Sequence, residues 1–580
     1  MAGRSPTVRE PRREAANTLE RMAPKSTSAP LPETALQKVS IALTNAIDRE
    51  FGEASAQPII FEPPRRPEFG DFATNIAFSL ARVAQRSPQA VASLLVERIR
   101  RNHLDSILSS ADAVGGFINL RLSPACWQSA LAVTLRERSN FGNARSSGTR
   151  ISLEFGSANP TGPLVIVQGR TLSIGQTLAN VMRARGYDVT TEWIINDAGA
   201  QVDALGRSLY ARYRQLEEPD FSFPAEGYPG NYLVPIAERI REVDGDRWKN
   251  APENEWLPHF KRVGRDAIVE EQQSVAHRFR VHFDRWQSEL ELHESGRVVK
   301  DLQRLTDRGL TYRCDGALYF KATQFGDDKD RVLLRSDGRP TYYAPDVAYH
   351  YEKLQRSDRV IDILGPDHHG YIGRLKGIAD ALGFPGALEV IIAQQITLLS
   401  GDESVAMSKR AGTIITLADI LDEVGVDAAR FFFIMLAPES PLKFDLALAK
   451  EQSENNPVYY VQYGHARISS VFKNARAEDV DAASASPRLE RLIEPSELAL
   501  MRRLSALPHT LQNVVDQFAP HRLTQYARDV AADFHQFYTE CRILVDEQEL
   551  RVARLALCVA ARTVLARVLE LMDVTAPESM

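Results

Sequence analysis

The 580-residue chain has few cysteines and no long apolar run. Its four cysteines lie far apart without a CxxC pair: Cys126, Cys314, Cys541 and Cys558. This spacing argues against a zinc ribbon or a disulfide scaffold and fits a reducing compartment. No apolar stretch approaches the roughly 18 residues that a membrane helix needs, and the N-terminus lacks the apolar segment of a secretory signal. We therefore expect a cytoplasmic protein without a membrane segment.

A strong net charge is also missing. The chain has 70 Lys and Arg against 76 Asp and Glu, a formal net charge of −6. That balance does not indicate a nucleic-acid binder, although a locally basic face can bind RNA on an acidic protein. Hydrophobic residues make up 44% of the chain, enough for large buried cores. At about 150 residues per domain, the length predicts three to four domains.

A βαβ unit begins at Ile151. The pattern predicts a strand over Ile151–Phe155, a Gly- and Pro-rich loop over residues 156–162 and a helix after Gly169. A second strand is predicted over Tyr187–Ile195. Such a loop opens at a helix N-terminus, where free N–H groups and the helix dipole favour a phosphate. An ordinary βα connection without a ligand is the open alternative.

Strands and helices alternate again further along the chain. Further strands are predicted over Ala317–Phe320, Arg331–Arg335, Val360–Leu364 and Leu388–Ile392. This alternation predicts a doubly wound α/β fold with a parallel sheet. A mostly helical span over about residues 205–307 is typical of an insertion between the two halves of such a sheet.

The composition divides the chain into four segments. Arg, Pro, Ser and Glu predominate in the first, which predicts a disordered tail. A small α+β domain, the α/β domain and a bundle of amphipathic helices follow. The predicted boundaries are residues 1–33, 34–149, 150–445 and 446–580.

The loop and helix of the βαβ unit also carry a resemblance. SANPTGPL, a helix and then INDAG resemble the signature region of class I aminoacyl-tRNA synthetases, in particular the bacterial arginyl-tRNA synthetase family. The resemblance implies a Rossmann-type catalytic domain. That family has His-Val-Gly-His, its form of the HIGH motif, after the Pro-Leu. Here these positions are Val165, Ile166, Val167 and Gln168.

A second segment resembles the other signature of that class, KMSKS. It reads AMSKRAG over Ala406–Gly412, with Ala406 in place of the first lysine. The resemblance implies that Lys409 neutralises the ATP phosphates as the adenylate forms, with Gln168 as the other catalytic residue. It implies that ATP is a substrate, that Mg²⁺ accompanies it and that these residues contact it: Gly162, Pro163, Gln168, Gly169, Met407, Ser408 and Lys409.

Tyr342 and Asp346 lie four residues apart near a predicted helix start. The resemblance implies that they hold the guanidinium of arginine, together with Glu154 and Asn159. A carboxylate can accept two guanidinium hydrogen bonds, and an aromatic face can lie against the guanidinium plane. Taken alone, Asp346 is more simply interpreted as a helix-capping residue.

His368 and His369 follow the predicted strand Val360–Leu364. Adjacent side chains diverge, and no third ligand stands at a recognisable spacing, so we do not predict a metal site. Their position at the carboxyl end of a strand favours a ligand pocket.

Both outer domains resemble the tRNA-binding parts of the same family. GDFATN and GFIN resemble its N-terminal domain, and NPVYYVQY resembles its helical anticodon-binding domain. The resemblance makes Arg467, Arg502 and Arg503 candidate phosphate contacts. Each of them alone is as simply a solvated surface arginine.

Two functions remain open from the sequence. The first is a monomeric arginine–tRNA ligase, which uses ATP to form arginyl-adenylate and passes the arginyl group to tRNA(Arg). The second is a paralogue that binds arginine or arginyl-tRNA but activates arginine poorly. Each lost hydrogen bond to a phosphate costs about 1.5–3 kcal/mol, so losing both HIGH histidines would lower the rate by about 10²–10⁴-fold. A third candidate, a nucleotide-binding α/β protein without RNA, conflicts with both outer domains.

Overall fold

The structure is a computed structural model that describes residues 31–52, 58–64, 66–102, 104, 106–400, 403–404, 415–485 and 487–580. The predicted tail lies outside these residues except for its last three, which begin the first helix at Leu31. Met407, Ser408 and Lys409 of the second motif also lie outside them.

The N-terminal region combines four helices with a three-stranded antiparallel sheet of order β1-β3-β2. Gly115 and Gly116 form the two-residue hairpin turn, with φ values of 60° and 90° that suit glycine. The strands are β1 Phe72–Thr74, β2 Leu108–Val114 and β3 Phe117–Leu122. The helices are Leu31–Phe51, Ile76–Ala84, Pro88–Arg100 and Pro124–Glu137, with 3₁₀ turns at Pro67–Phe69 and Arg138–Asn140.

A five-stranded sheet forms the centre of the molecule, and all four of its strand pairings are parallel. Its order is β11-β10-β4-β5-β6, so the direction of strand addition reverses between β4 and β10. In α/β sheets a ligand binds in the crevice at such a reversal, at the carboxyl ends of the strands. The strands are β4 Arg150–Phe155, β5 Asp188–Ile195, β6 Arg285–Ser288, β10 Arg359–Leu364 and β11 Leu388–Ile392.

Helices surround this sheet, and two smaller sheets flank it. The helices are Ile166–Ala184, Ala200–Gln215, Val234–Asp244, Glu253–Arg278, Glu289–Glu294, Arg297–Asp307, Tyr343–Arg356, Ile372–Leu382, Leu417–Val424 and Val426–Phe433. Short 3₁₀ helices cover Asn231–Leu233, Ala322–Phe325 and Pro366–Tyr371. The smaller sheets contain β7 Thr311–Cys314, β8 Ala317–Phe320 and β9 Arg331–Leu334, and β12 Ile396–Ser400, β13 Glu403–Ser404 and β14 Leu442–Asp445.

The predicted fold class is confirmed, with two differences in the strands. β6 lies within the span that was predicted to be mostly helical, because four residues are too few to show a strand periodicity. β8 and β9 are strands, but they lie outside the central sheet, where β8 pairs antiparallel with both β7 and β9. The connections between these three strands are too short for the crossover that a parallel pair needs.

The C-terminal region is a helical bundle with a buried seam. One amphipathic stripe was predicted as core, and every member of it is fully buried: Leu523, Ala527, Val530, Phe534 and Phe537. The helices are Leu446–Lys450, Pro457–Asn474, Ala477–Ala485, Pro495–Ser505, Leu507–Gln517, His521–Glu540 and Gln548–Leu571, with a 3₁₀ turn at Leu489–Arg491. No helix among the described residues is long and apolar enough to cross a membrane.

Candidate active site

A cavity of about 620 Å³ lies at the reversal of strand order in the central sheet. We name it the acidic cavity, because four carboxylates line it: Glu154, Glu289, Asp346 and Asp362. The parallel register sets Glu154 of β4 directly beside Asp362 of β10. Two adjacent strands therefore bring two of the carboxylates together, and two helices supply the others.

One buried lysine neutralises the strand carboxylates. Lys353 is fully buried, with its Nζ 2.8 Å from Glu154 Oε2 and in contact with Asp362 Oδ1. His350 Nε2 lies 2.8 Å from Asp362 Oδ2. Burial opposes ionisation of Asp362, but Lys353 and His350 outweigh it and lower the pKa of that carboxyl to about 2. These carboxylates are thus already paired with cationic partners from the protein.

The other two carboxylates lack such a partner. Burial raises the pKa of Asp346 to about 6 and the pKa of Glu289 to about 7, the latter helped by the negative charges of Asp346 and Asp197. Among the described residues neither forms an ion pair with a lysine or arginine, and Asp346 accepts a hydrogen bond from the Tyr371 hydroxyl. Glu289 Oε1 lies 3.8 Å from His293 Nε2, and burial lowers the pKa of that histidine. Two half-buried carboxylates that face one cavity without a lysine or arginine fit a cationic ligand, such as a guanidinium with its several donors.

All four residues predicted to bind arginine line this cavity. Tyr342 lies at the mouth and is 76% exposed, so its ring is accessible to a ligand. The Asn159 side-chain oxygen accepts a hydrogen bond from Asn196 Nδ2 at 3.2 Å. Among the described residues the Asp346 side chain makes no capping hydrogen bond to its helix, which favours the ligand role over the capping alternative.

A second cavity of about 360 Å³, the adjoining cavity, lies next to the first. The two cavities share Ser157, Leu364 and His368 in their walls. His369 lines neither cavity, so the structure separates the two adjacent histidines. No group of three or more His, Cys, Asp or Glu side chains in the described part of the chain could hold a metal ion.

The tetrapeptide Val165–Gln168, which stands at the positions of the HIGH motif, forms the start of a helix beside the adjoining cavity. The helix Ile166–Ala184 begins four residues earlier than predicted, and its first turn brings Val167 and Gln168 into the cavity wall. Gln168 Oε1 accepts a hydrogen bond from the Val165 N–H at 3.2 Å. This contact orients the Gln168 amide and leaves its Nε2 donor without a hydrogen bond to any described residue. This first turn thus offers one neutral donor and the N-terminus of a helix, which suits an anion, while the Asp367 carboxylate lines another part of the wall.

The two glycines predicted to contact ATP, Gly162 and Gly169, contact other parts of the protein in this structure. Gly169 is buried under the next helices, and a Cβ there would lie 2.7 Å from Leu417 and 2.8 Å from Phe433. The Gly162 carbonyl accepts a hydrogen bond from Gln272 Nε2 at 2.9 Å. Like Pro163, both glycines are absent from the walls of the two cavities. They shape the loop and the helix packing, and direct ATP contact by them remains a prediction.

The chain after the second motif returns to the first. The Leu417 N–H donates to the Leu164 carbonyl at 2.7 Å, and Thr416 forms a β-bridge with Val165. These contacts place Thr416 and Leu417, which follow the second motif, beside the start of the helix that lines the adjoining cavity.

The three arginines predicted to contact tRNA differ in their partners. Arg502 pairs with Asp71 of the N-terminal region at 2.9 Å. Arg503 pairs with Asp529 and Asp533 at 3.2 and 2.9 Å. Arg467 has its guanidinium carbon 4.3 Å from the centre of the Tyr538 ring. Phosphate contacts by Arg502 and Arg503 would compete with these ion pairs, and all three remain predictions.

The sequence analysis missed Glu289, Lys353 and Asp362. Glu289 follows β6, which was not predicted, so no pattern placed it at the edge of the sheet. Lys353 and Asp346 do share a helical signal, because they lie seven residues apart on one face. A buried lysine is rare unless it is paired, and only the fold reveals the pairing.

Models of known families match three parts of the chain. The matches are to the arginyl tRNA synthetase N-terminal domain over residues 34–122, the class I (R) tRNA synthetase catalytic domain over residues 245–433 and the DALR anticodon binding domain over residues 461–580. The three matches follow one another in the order predicted from the motifs.

Similar proteins cover nearly the whole chain. The arginine–tRNA ligase of Syntrophotalea carbinolica is 42% identical over 94% of this chain and 99% of its own length. That of Moorella thermoacetica is 43% identical over the same shares. Among solved structures, Thermus thermophilus arginyl-tRNA synthetase has a TM-score of 0.72 and 21% identity, covering 94% of this chain and 100% of its own. This last likeness concerns the fold.

Proposed function

The chain belongs to the arginyl-tRNA synthetase family and is an arginine–tRNA ligase, and we propose that its acidic cavity binds arginine while its adjoining cavity binds ATP. The relatives are arginine–tRNA ligases over almost their full lengths. Nothing in the comparisons or in the fold supports the alternative, a paralogue that binds arginine or arginyl-tRNA without activating it.

The arginine side chain enters between Asp346 and Glu289. Both carboxylates are half-buried and pair with no lysine or arginine among the described residues, so a bound guanidinium relieves the repulsion between them. Its planar donors match carboxylate geometry, and Tyr342 at the mouth can cover its face. Lysine offers a single point charge and citrulline none, which supports selectivity for arginine.

ATP occupies the adjoining cavity with its phosphates near the start of the helix Ile166–Ala184. The helix N-terminus and the free Gln168 Nε2 supply donors there. We assign Lys409 to the phosphates as the mobile cation, with Met407 and Ser408 beside it, on the basis of the motif alone. Mg²⁺ enters with ATP as a counter-ion of its phosphates.

The wall that the two cavities share is the observation that best supports the proposal. Ser157, Leu364 and His368 border both, so the carboxylate of arginine and the α-phosphate of ATP meet there. A carboxylate oxygen attacks the α-phosphorus, the bond to pyrophosphate breaks and arginyl-adenylate forms. The 3′-terminal hydroxyl of tRNA(Arg) then attacks the arginyl carbonyl, and AMP leaves.

The tRNA contacts, the monomeric state and the cytoplasmic location belong to this proposal as well. The family matches at both ends support tRNA binding by the outer domains. Of the three candidate arginines, Arg467 fits a phosphate contact best, because its guanidinium rests on an aromatic ring without a carboxylate partner among the described residues.

One comparison tests the proposal. Charging of tRNA(Arg) with arginine and arginine-dependent ATP–pyrophosphate exchange are measured for the natural chain and for the triple variant Val165→His, Val167→Gly, Gln168→His. We expect the natural chain to charge tRNA(Arg) and to reject lysine and citrulline. Charging by the triple variant alone would contradict the proposal, because the natural tetrapeptide would then not support activation.

A further inference from the structure

Three distant segments meet at one fully buried arginine, Arg430. Its Nε donates to the Met572 carbonyl at 2.7 Å and its Nη1 to the Phe279 carbonyl at 2.9 Å. Its Nη2 pairs with Asp573 Oδ2 at 3.0 Å. Met572 and Asp573 follow the last helix of the C-terminal bundle, and Phe279 ends the insertion helix Glu253–Arg278. Arg430 thus joins the catalytic domain to the C-terminal tail and to the insertion.

Two sets of contacts connect Arg430 to the helix turn that lines the adjoining cavity and to the loop before that turn. The first set involves its own helix, Val426–Phe433, whose last residue, Phe433, packs against Gly169. Gly169 directly follows Gln168, which lines that cavity. A Cβ at Gly169 would already be too close to Phe433, so there is no free space between the two helices at this point. A shift of the helix Val426–Phe433 would therefore move the first turn that carries Gln168.

The second set of contacts involves the insertion helix. Gln272 on this helix donates to the carbonyls of Asn159 and Gly162 at 3.1 and 2.9 Å, which holds the loop before the cavity. The Arg430 bond to Phe279 anchors the end of the same helix. The insertion helix thus holds the loop, and the helix Val426–Phe433 holds the first turn that follows it. Both of these helices contact or carry Arg430.

The C-terminal tail also contacts the cavity helix itself. Asn180, on the helix Ile166–Ala184, donates to Asp573 Oδ2 at 2.8 Å and to the Leu571 carbonyl at 3.2 Å. Asp573 Oδ2 is therefore shared between Asn180 and Arg430. One carboxylate of the tail binds both helices that border the first motif.

We propose that Arg430, held by Asp573, is a positioning residue for the nucleotide-binding half of the active site, through which the tail of the helical domain sets the place of Gln168. Of the acidic cavity this group reaches only the backbone carbonyl of Asn159, and the carboxylates there are held by Lys353, His350 and Tyr371. Loss of the Arg430 contacts therefore weakens the use of ATP and spares the binding of arginine.

The test compares the KM for ATP with the KM for arginine in variants of the full-length protein. Asp573→Asn keeps the size and a contact to Asn180 but removes the charge opposite Arg430, and Arg430→Met removes all its donors. We expect the KM for ATP to rise about tenfold in each, since small displacements of catalytic groups are costly. The KM values for arginine and tRNA stay within about twofold.

A matched control comes from the bundle. Glu497 pairs with Arg554 at 2.7 Å and is fully buried, but the pair lies within the helical domain. Glu497→Gln lowers stability in a similar way without a route to the cavity, and its KM for ATP stays at the natural value. An unchanged KM for ATP in Asp573→Asn, or an equal rise in the KM for arginine, overturns the inference. If Arg430→Met does not fold, Asp573→Asn alone decides.

The inference rests on the proposed placement of ATP beside Gln168, so a second readout separates the two. Hydrogen exchange of the first turns of the helix Ile166–Ala184 reports its positioning without nucleotide. Faster exchange there in Asp573→Asn than in Glu497→Gln supports the inference, and equal exchange overturns it. If Gln168→Ala leaves the KM for ATP unchanged, the placement of ATP fails, and the exchange measurement alone then decides whether Arg430 positions the first turn.

Discussion

The acidic cavity and the adjoining cavity share three residues but hold their ligands by different means. The acidic cavity is built from buried charges, two paired within the protein and two left for the ligand. The adjoining cavity has the amides of Gln168 and Gln395, a helix N-terminus and apolar side chains such as Val167, and Asp367 and His368 are its titratable groups. A single guanidinium needs preplaced carboxylates. A triphosphate can be held by backbone N–H groups and a lysine that arrives with it.

The largest expected effect concerns the buried charges of the acidic cavity. Lys353→Met leaves Glu154 and Asp362 buried without their common cation, which costs about 3–5 kcal/mol of stability. The measurement is the midpoint of thermal and urea unfolding at neutral pH. Lys376→Met is the control, because Lys376 and its partner Glu389 are well exposed and contribute little. Equal shifts in the two variants would show that the buried network is not needed.

The next effect separates the two cavities. Asp346→Asn removes a half-buried carboxylate that faces the ligand, so the KM for arginine rises about 10²-fold. Asp367→Asn is the matched control, since Asp367 lines the adjoining cavity alone. It leaves the KM for arginine within about twofold. Comparable rises in both variants would contradict the division of labour between the cavities.

The pH dependence of arginine binding sharpens the comparison further. Burial raises the pKa of Glu289 to about 7 and of Asp346 to about 6, and a bound guanidinium lowers both again. Arginine binding therefore releases protons below about pH 7, and its affinity falls about twentyfold from about pH 8 to about pH 6. Calorimetry in buffers of different ionisation enthalpy measures both quantities. Glu289→Gln removes the release near pH 7; release that persists in this variant would assign it to another group.

The smallest effect concerns the adjoining cavity. Gln168→Ala removes one neutral donor and the bond to the Val165 N–H, so the KM for ATP rises about two- to tenfold. Gln201→Ala is the control, because Gln201 lines the acidic cavity and not the other. Charging assays at saturating arginine and tRNA measure both. A rise above about a hundredfold in Gln168→Ala would mean that this cavity also depends on a single side chain.

The sequence predicted the elements that carry the site better than its chemistry. β4, β5, β10 and β11 were predicted within one residue at each end, because each is a short run rich in β-branched and other apolar residues. Tyr342 and Asp346 were found through the resemblance, since their spacing alone also fits a helix cap. Their position in one cavity with Glu154 required the parallel register of the sheet.

The remaining groups depend on contacts between distant segments. Glu289 and Lys353 lie in different helices, and their roles follow from burial, which no local pattern encodes. Arg502 shows the converse case: it looked like a surface arginine with a candidate phosphate contact, yet it pairs with Asp71 across a domain boundary. Tertiary pairing of charges is the part that periodicity and spacing could not supply.

The binding of a nonhydrolysable arginyl-adenylate analogue tests most directly whether the two cavities form one adenylation site. The analogue occupies both cavities at once, so its two halves bind as a single ligand without a second loss of translational freedom. We predict that calorimetry gives a Kd at least about 10²-fold below that of arginine or ATP alone, and that both Asp346→Asn and Gln168→Ala weaken it. An analogue that binds no more tightly than arginine would contradict the account.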